Sequence, residues 1–212
     1  MSTSLSTSEQ PIGDSRVRVL HGTSARAVFL FCVLWSLFQV YVASSIPFWL
    51  SSLTGISLVF NNQEVRQLHL AFSLVLAMLL HPLVKDSTQR IPWYDILLAL
   101  LGASSCLYLF VLKDSIADRA GLPTTSDLII SMIGLCCLGL AVYRTLGLPL
   151  LVVAGVFLSY VFFGDKSFIP EVIQWKGASL NKALWHFWMQ TEGVFGVALG
   201  VSSSMIFLFV LF

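Results

Sequence analysis

Charged residues are scarce in this 212-residue chain. Lysine, arginine, aspartate and glutamate make up 11% of the sequence, whereas a typical soluble domain carries about 25%. The net charge is only +1, so the sequence lacks the basic excess of nucleic-acid-binding proteins, and we predict no nucleic-acid partner. Hydrophobic residues instead make up 57%, and the mean hydropathy is +0.85. This balance argues against a soluble globular protein and indicates an integral membrane protein whose main solvent is lipid.

Reactive and metal-ligating side chains are also few. The cysteines lie inside apolar runs with neither a C-x-x-C spacing nor a nearby histidine, which predicts buried thiols. They are Cys32, Cys106, Cys136 and Cys137. The chain also lacks a Ser/His/Asp set, an H-E-x-x-H motif and a phosphate-binding loop. We therefore predict no enzyme activity, no catalytic residue, no metal and no cofactor.

Long apolar runs are what the sequence does have. A helix rises about 1.5 Å per residue, so about 20 apolar residues cross a hydrocarbon core of about 30 Å. We predict an all-α integral membrane protein with about six transmembrane helices. The runs are Ala27–Leu50, Arg66–Val84, Trp93–Leu112, Leu128–Tyr143, Pro149–Phe163 and Val194–Phe212. Pro47 is expected to bend or end the first run.

The last run, residues 194–212, reaches Phe212 with no polar flank. A last transmembrane helix normally leaves the membrane through an interfacial rim of Trp, Tyr, Lys or Arg. Two expectations remain open here. The chain is either a complete small membrane protein with an unusual end or the front part of a larger protein whose final helix is truncated.

Residues 178–190 form a segment of a different kind, with a narrow polar stripe and two tryptophans. Polar residues recur at steps of three and four, which places them on one helical face. They are Ser179, Lys182, His186 and Gln190. We predict an amphipathic helix lying flat at the membrane interface. The alternative is a short helix packed into the protein core.

The N-terminal residues, 1–25, are rich in serine and threonine and are predicted to form a disordered cytoplasmic tail. Lysines and arginines divide equally between the two sides of the membrane. The early short segments decide the orientation, because the tail and the Lys85–Arg90 loop outweigh the loop around Arg66. We predict a multi-pass protein with its N-terminus in the cytoplasm.

Ionisable residues near the membrane segments are functional candidates by default. Asp95 lies in the first turn of a predicted helix, where it complements the helix dipole. Arg144, at a break between two segments, is a candidate for holding a lipid headgroup or a partner's carboxylate. His69 is expected to meet the interface, and Glu192 precedes the last helix. We treat all four as candidate interface or lipid contacts.

Small residues recur every fourth position on the last predicted helix, at Gly196, Gly200 and Ser204. Such spacing lets another helix approach closely, so we predict helix packing there. The serine hydroxyls are more often bonded to their own helix backbone than to an ion.

Several stretches share their order and spacing with one family of membrane transporters. They include the V-R-Q-L-H-L-A-F run at 65–72, His81-Pro82, W-Y-D-I-L-L at 93–98, R-A-G-L-P at 119–123 with Asp127, and R-T-L-G-L-P-L at 144–150. The longest is T-E-G-V-F-G-V-A-L-G-V-S at 191–202, followed by the apolar run 207–212. With these stretches the chain resembles the N-terminal part of fused permeases of tripartite ATP-independent periplasmic (TRAP) transporters, of the type that works with TAXI-type binding proteins.

The resemblance implies a division of the chain. Residues 26–147 would be a four-helix small-subunit-like domain, and 148–212 would begin the large-subunit-like domain. It implies a scaffold in the bacterial inner membrane for uptake of small organic acids by secondary active transport, not transport-competent alone. Substrate-binding residues remain unknown, and the coupling cation, Na⁺ first and H⁺ as the alternative, is expected in the large-subunit part that this sequence lacks. One departure is Ala141-Val142-Tyr143, where related sequences carry charged residues.

The resemblance also implies partners: a large-subunit permease domain, membrane lipids and a periplasmic TAXI-type binding protein. The loops Ser51–Val65 and Lys113–Ser126 are expected to help dock the binding protein. Two alternatives stay open. The chain would be a truncated fragment that forms no functional complex, or a stand-alone helical membrane protein such as an assembly factor or a channel-like oligomer.

Overall fold

The structure, a computed structural model, describes residues 17–83, 90–119, 121–166 and 169–211. Regular secondary structure in these ranges is entirely helical, as the predicted all-α class requires. The first helices are α1 (Gly22–Ala43), α2 (Ile46–Thr54), α3 (Asn62–Leu80), α4 (Trp93–Val111), α5 (Lys113–Asp118), α6 (Thr125–Leu146) and α7 (Leu148–Phe163). Then follow α8 (Leu180–Leu184) with a π-helical turn (Trp185–Met189), α9 (Val197–Val201) with a π-helical turn (Ser202–Ile206), and α10 (Phe207–Leu211).

Helix α3 is the centre of the fold and packs against α4 and α6. Its start is fixed by a capping box, in which the Asn61 side chain accepts from the Glu64 backbone and Glu64 accepts from the Asn61 backbone. This satisfies two backbone N–H groups that a helix start leaves free. The core is built from small and apolar side chains of the three helices, including Leu74, Met78, Cys106 and Cys137. We refer to α3, α4 and α6 as the bundle.

The amphipathic segment packs its apolar face into this core. Trp188 is fully buried, and its indole N–H donates to the Ser105 carbonyl at 3.4 Å. The ring lies against Gly134 of α6, where an added Cβ would meet ring carbons at 2.2 Å. Phe195 packs edge-on against the same ring. The core-packed alternative therefore describes the apolar face of this segment, and its position at the membrane interface stays a prediction.

The predicted first run and the predicted tail are both divided differently in the structure. The run breaks at Ser44, whose hydroxyl donates to the Tyr41 carbonyl and accepts from the Ile46 backbone, just before Pro47 in the first turn of α2. Helix α1 begins at Gly22, inside the predicted tail, of which residues 1–16 lie outside the described residues. Residues 84–89 of the predicted inner loop, and Phe212, also lie outside them.

Two stretches predicted as loops are partly helical. Residues 51–54 complete α2 and residues 62–65 begin α3, so only the middle of Ser51–Val65 is irregular. Helix α5 occupies the first half of Lys113–Ser126. Polar side chains are typical of loops, but Asn61 and Glu64 cap the start of α3, whereas α5 begins without a side-chain cap.

Three helices of the described residues are long and apolar enough to cross a membrane: α1, α4 and α6. Helix α7, with 16 residues, and the stretch Val197–Leu211 are apolar but shorter. Helix α3 has 19 residues, and its first half carries polar side chains that are buried inside the protein. These helices are compatible with a helical membrane protein.

Candidate functional site: a buried arginine–aspartate–arginine cluster

Three charged side chains meet where α3 ends, α4 begins and α6 ends. Asp95 lies in the first turn of α4 and Arg144 in the last turn of α6, while Arg18 precedes α1. Because α4 runs antiparallel to α3 and α6, its N-terminus shares one end of the bundle with their C-termini. We call Arg18, Asp95 and Arg144 the Asp95 cluster.

Each oxygen of the Asp95 carboxylate accepts from a different arginine. Arg18 Nη2 donates to Oδ2 and Arg144 Nη1 donates to Oδ1, both at 2.7 Å. All three side chains have no solvent exposure. Ion pairs this deep are retained only where geometry is good, because removing charges from water costs several kcal/mol per ion.

The two arginines also cap the end of α3. Arg18 Nη1 donates to the Leu79 carbonyl at 2.9 Å, and its backbone N–H donates to the Leu80 carbonyl at 2.7 Å. Arg144 Nη1 approaches the carbonyls of Met78 at 3.3 Å and His81 at 3.2 Å. The last four carbonyls of a helix lack partners within it, and cations are favoured there by the helix dipole.

The Asp95 cluster carries two positive charges and one negative charge, so its formal charge is +1. The C-terminal dipoles of α3 and α6 oppose this excess, and the N-terminal dipole of α4 stabilises the carboxylate. Two nitrogens of Arg144, Nε and Nη2, are buried without a hydrogen-bond partner among the described residues. The arrangement holds three helix ends together by electrostatics and presents no nucleophile.

A second ionic cluster lies at the opposite end of the bundle, around Asp127 in the first turn of α6. The Asp127 carboxylate accepts from the Tyr108 hydroxyl at 2.8 Å, from Arg119 Nη2 at 2.9 Å, and from the Thr124 backbone and hydroxyl at 2.9 and 2.8 Å. Asp127 is fully buried, whereas the Arg119 side chain is partly exposed. We call these residues the Asp127 cluster, and it joins α4, α6 and the segment between α5 and α6.

Glu64 and Lys113 form another ion pair at this end, between α3 and the start of α5. The Glu64 hydrogen bond, and then its charge, raise the pKa of the exposed Lys113 ammonium. A raised folded-state pKa stabilises the fold below about pH 10, where the unfolded lysine is also protonated, and the contribution is lost above it.

Two of the predicted contact residues, Asp95 and Arg144, are thus buried ion-pair partners of each other. His69 is also buried: it is 4% exposed, and its Nδ1 lies 2.7 Å from the Gln39 amide nitrogen. Trp35 and Phe207 pack against the imidazole ring. The segment before α1 covers Asp95 and Arg144, and α1 and α10 cover His69. Glu192 is exposed in the turn between Met189 and α9.

The small residues of the last predicted helix have separate roles. Gly196 precedes α9, where a side chain would press on the Gly193 carbonyl at 2.9 Å. Gly200 faces α3, and the Arg66 guanidinium covers it. Ser204 is exposed and donates to the Gly200 carbonyl at 2.7 Å. Only Gly200 therefore serves a close approach between elements that are distant in sequence.

The polar stripe of the amphipathic segment faces away from the core. Ser179, Lys182 and His186 are exposed, and Gln190 is half-buried. His186 Nδ1 and Gln190 Oε1 lie 2.9 Å apart.

Sequence patterns did not indicate Arg18, Gln39 or Arg66 as site residues. Arg18 belonged to a serine-rich tail, and Gln39 to a long apolar run. The one available signal was that each is a polar side chain within or beside an apolar segment, where a buried partner is expected.

A scan against protein-family models finds no match for this chain, and searches of curated proteins and of solved structures find no similar protein.

Proposed function

We propose that this chain is a membrane scaffold component of a TRAP-type secondary transporter for small organic anions. In this proposal it works with a large-subunit permease domain and a periplasmic TAXI-type binding protein, and it does not transport alone. It resides in the bacterial inner membrane with its N-terminus in the cytoplasm and about six spans. The family assignment rests on the sequence resemblance described above.

The structural observation that carries the scaffold role is helix α7. Apart from Ser159 and Tyr160, all of its residues are apolar, glycine or proline. None of its residues is buried within the chain. Phe157 and Val156 are 67% and 62% exposed. A helix that is apolar all round is normally covered on all sides, by lipid or by other helices. Helices α9 and α10 also bury no residue.

The bundle supplies the rigid part of such a scaffold. The Asp95 cluster links the ends of α3, α4 and α6, and the Asp127 cluster links α4 to α6 at the opposite end. Helix α7 follows α6 directly through Gly147, whose φ of 86° is a conformation that favours glycine. A rigid bundle joined by one residue to a largely exposed apolar helix is suited to presenting that helix to a partner.

The test is affinity purification of the tagged chain from native membranes in mild detergent, followed by mass spectrometry. We expect a multi-span protein carrying further transporter helices, and uptake of organic acids by the reconstituted pair only. Phe157→Ala should weaken recovery of that protein, while Phe29→Ala, which removes an equally exposed ring from α1, should not.

Recovery of the chain alone would contradict the proposal. Ion conductance by the purified chain in vesicles would favour a channel-like oligomer instead. If the Phe157→Ala variant recovered the partner as well as the wild type does, α7 would not be part of the contact with that partner.

A further inference from the structure

A cavity of about 420 Å³ opens between α1, α3 and the α9–α10 segment. Its apolar wall is formed by aliphatic side chains of all three elements. They are Val42, Val65, Val197, Val201 and Leu208. The polar part of the wall includes Arg66 and Asn62 of α3. The cavity therefore combines an apolar side with a cationic side.

Arg66 is held in place on the cavity wall. Its Nη1 donates to the Phe195 carbonyl at 3.0 Å. An added Cβ at Gly200 would lie 2.6 Å from Nη2, 2.8 Å from Cζ and 2.8 Å from Nε, so the guanidinium lies flat over this glycine. Only a residue without a side chain permits that approach, and the contact fixes where the guanidinium points.

Arg66 differs from the arginines of the Asp95 and Asp127 clusters in its ion pairing. Arg18 and Arg144 share Asp95, and Arg119 pairs with Asp127. Among the residues that the structure describes, no carboxylate forms an ion pair with Arg66. A half-buried arginine beside apolar surface is costly without a counter-charge, which makes it a candidate binding residue.

The other polar groups of the wall leave Arg66 as the main donor. The Ser203 and Ser204 hydroxyls donate to the Gly200 carbonyl at 3.1 and 2.7 Å. Gln39 Nε2 is engaged with His69. Among the residues that the structure describes, the donors left for a ligand in the cavity are therefore those of Arg66 that Phe195 does not use and the exposed Asn62 amide. A guanidinium fork matches the geometry of a phosphate or carboxylate oxyanion.

We propose that this cavity binds a phosphate group through the Arg66 guanidinium. Arg66 lies near the start of α3 and beside the end of α1, so a membrane crossed by α1 would bring lipid headgroups to the level of Arg66. The aliphatic wall matches an acyl chain, which makes the phosphodiester of an anionic phospholipid the first source. Free phosphate is the other source. This site is independent of whether the chain takes part in transport.

The experiment uses the full chain, purified in detergent and stripped of lipid. Phosphatidylglycerol binding is measured by native mass spectrometry, and inorganic phosphate binding by thermal shift. The wild type should bind one molecule of added phosphatidylglycerol, and Arg66→Gln should weaken this binding by about tenfold or more. Arg66→Lys, which keeps the charge without the fork, should weaken it less.

Two further variants separate the site from net charge and from folding. Gly200→Ala keeps every charge but displaces the guanidinium, so it should also weaken binding. Lys176→Gln removes one positive charge from an exposed loop and should bind as the wild type does. Circular dichroism checks that each variant retains its helices.

The outcomes are distinct. Loss of phosphatidylglycerol binding in both Arg66→Gln and Gly200→Ala supports the lipid source. An Arg66-dependent shift with inorganic phosphate, without lipid retention, supports the free-phosphate source. Wild-type binding of both ligands by Arg66→Gln would overturn the proposal.

Discussion

The bundle and helix α7 are both strongly apolar, yet they bury their surfaces very differently. Leu74 and Met78 of α3 are 1% and 0% exposed, whereas α7 buries no residue at all. The bundle also has charged side chains fixed at each end, and α7 has no charged residue. Apolarity alone therefore does not decide which helices pack together within the chain. Ion clusters at the helix ends link the neighbours in the bundle.

This comparison predicts which substitutions destabilise the isolated chain. Changes in the bundle should lower the free energy of unfolding in detergent, and changes in α7 should not.

Asp95→Asn should have the largest effect, about 3–5 kcal/mol of destabilisation, because it leaves two buried arginines without their shared counter-charge. Asp114→Asn in the exposed part of α5 should change the stability little. Denaturant unfolding in mild detergent, followed by near-ultraviolet circular dichroism, measures both. An Asp95→Asn variant as stable as the Asp114→Asn control would show that the Asp95 cluster does not hold the helix ends.

Gly134→Ala should cost about 1–3 kcal/mol, because the new Cβ overlaps the buried ring of Trp188 and forces it to move. Gly155→Ala in α7 is the matched control, since nothing lies within 4 Å of a Cβ added there. The control should be neutral or slightly stabilising because alanine favours helix. Trp188 fluorescence is confounded by five other tryptophans, so the comparison uses thermal unfolding of both variants. Equal midpoints would contradict the close packing of Gly134.

Tyr108→Phe should cost about 1.5 kcal/mol, because the Asp127 carboxylate loses one hydrogen bond while Arg119 and Thr124 remain. Tyr143→Phe removes an exposed hydroxyl and should leave stability unchanged. The difference between the two midpoints in a denaturant titration checks the Asp127 cluster. A larger loss for Tyr143→Phe would place the stabilising interaction elsewhere.

Val156→Ala in α7 should have the smallest effect, within about 0.5 kcal/mol, because Val156 is 62% exposed. The same unfolding titration measures it. A loss above 2 kcal/mol would mean that α7 is part of the folded core and would remove the contrast with the bundle.

Helix positions were largely predictable from the sequence because their signals are local. The run Trp93–Leu112 corresponds to α4 at Trp93–Val111, where Pro92 precedes the first helical residue. The predicted fifth run, Pro149–Phe163, differs from α7 by one residue at its start. Apolar length and proline position act within one segment, so a single sequence displays them.

The candidate site was not predictable because its partners are distant in sequence. Asp95 was recognised as a dipole partner, but Arg18 lies 77 positions away. The same holds for Arg66 and Phe195, which are 129 positions apart. The polar stripe at 178–190 was placed on one face, but periodicity does not say what covers the opposite face. That opposite face packs into the core, against Gly134 of α6 and Ser105 of α4.

The most direct test of the account is photo-crosslinking in native membranes from two equally exposed phenylalanine positions. A photoreactive phenylalanine replaces Phe157 in α7 or Phe29 in α1, each 67% exposed. We expect Phe157 to crosslink to another multi-span membrane protein and Phe29 to crosslink mainly to lipid. Lipid adducts alone at Phe157 would contradict the claim that α7 is presented to a protein partner.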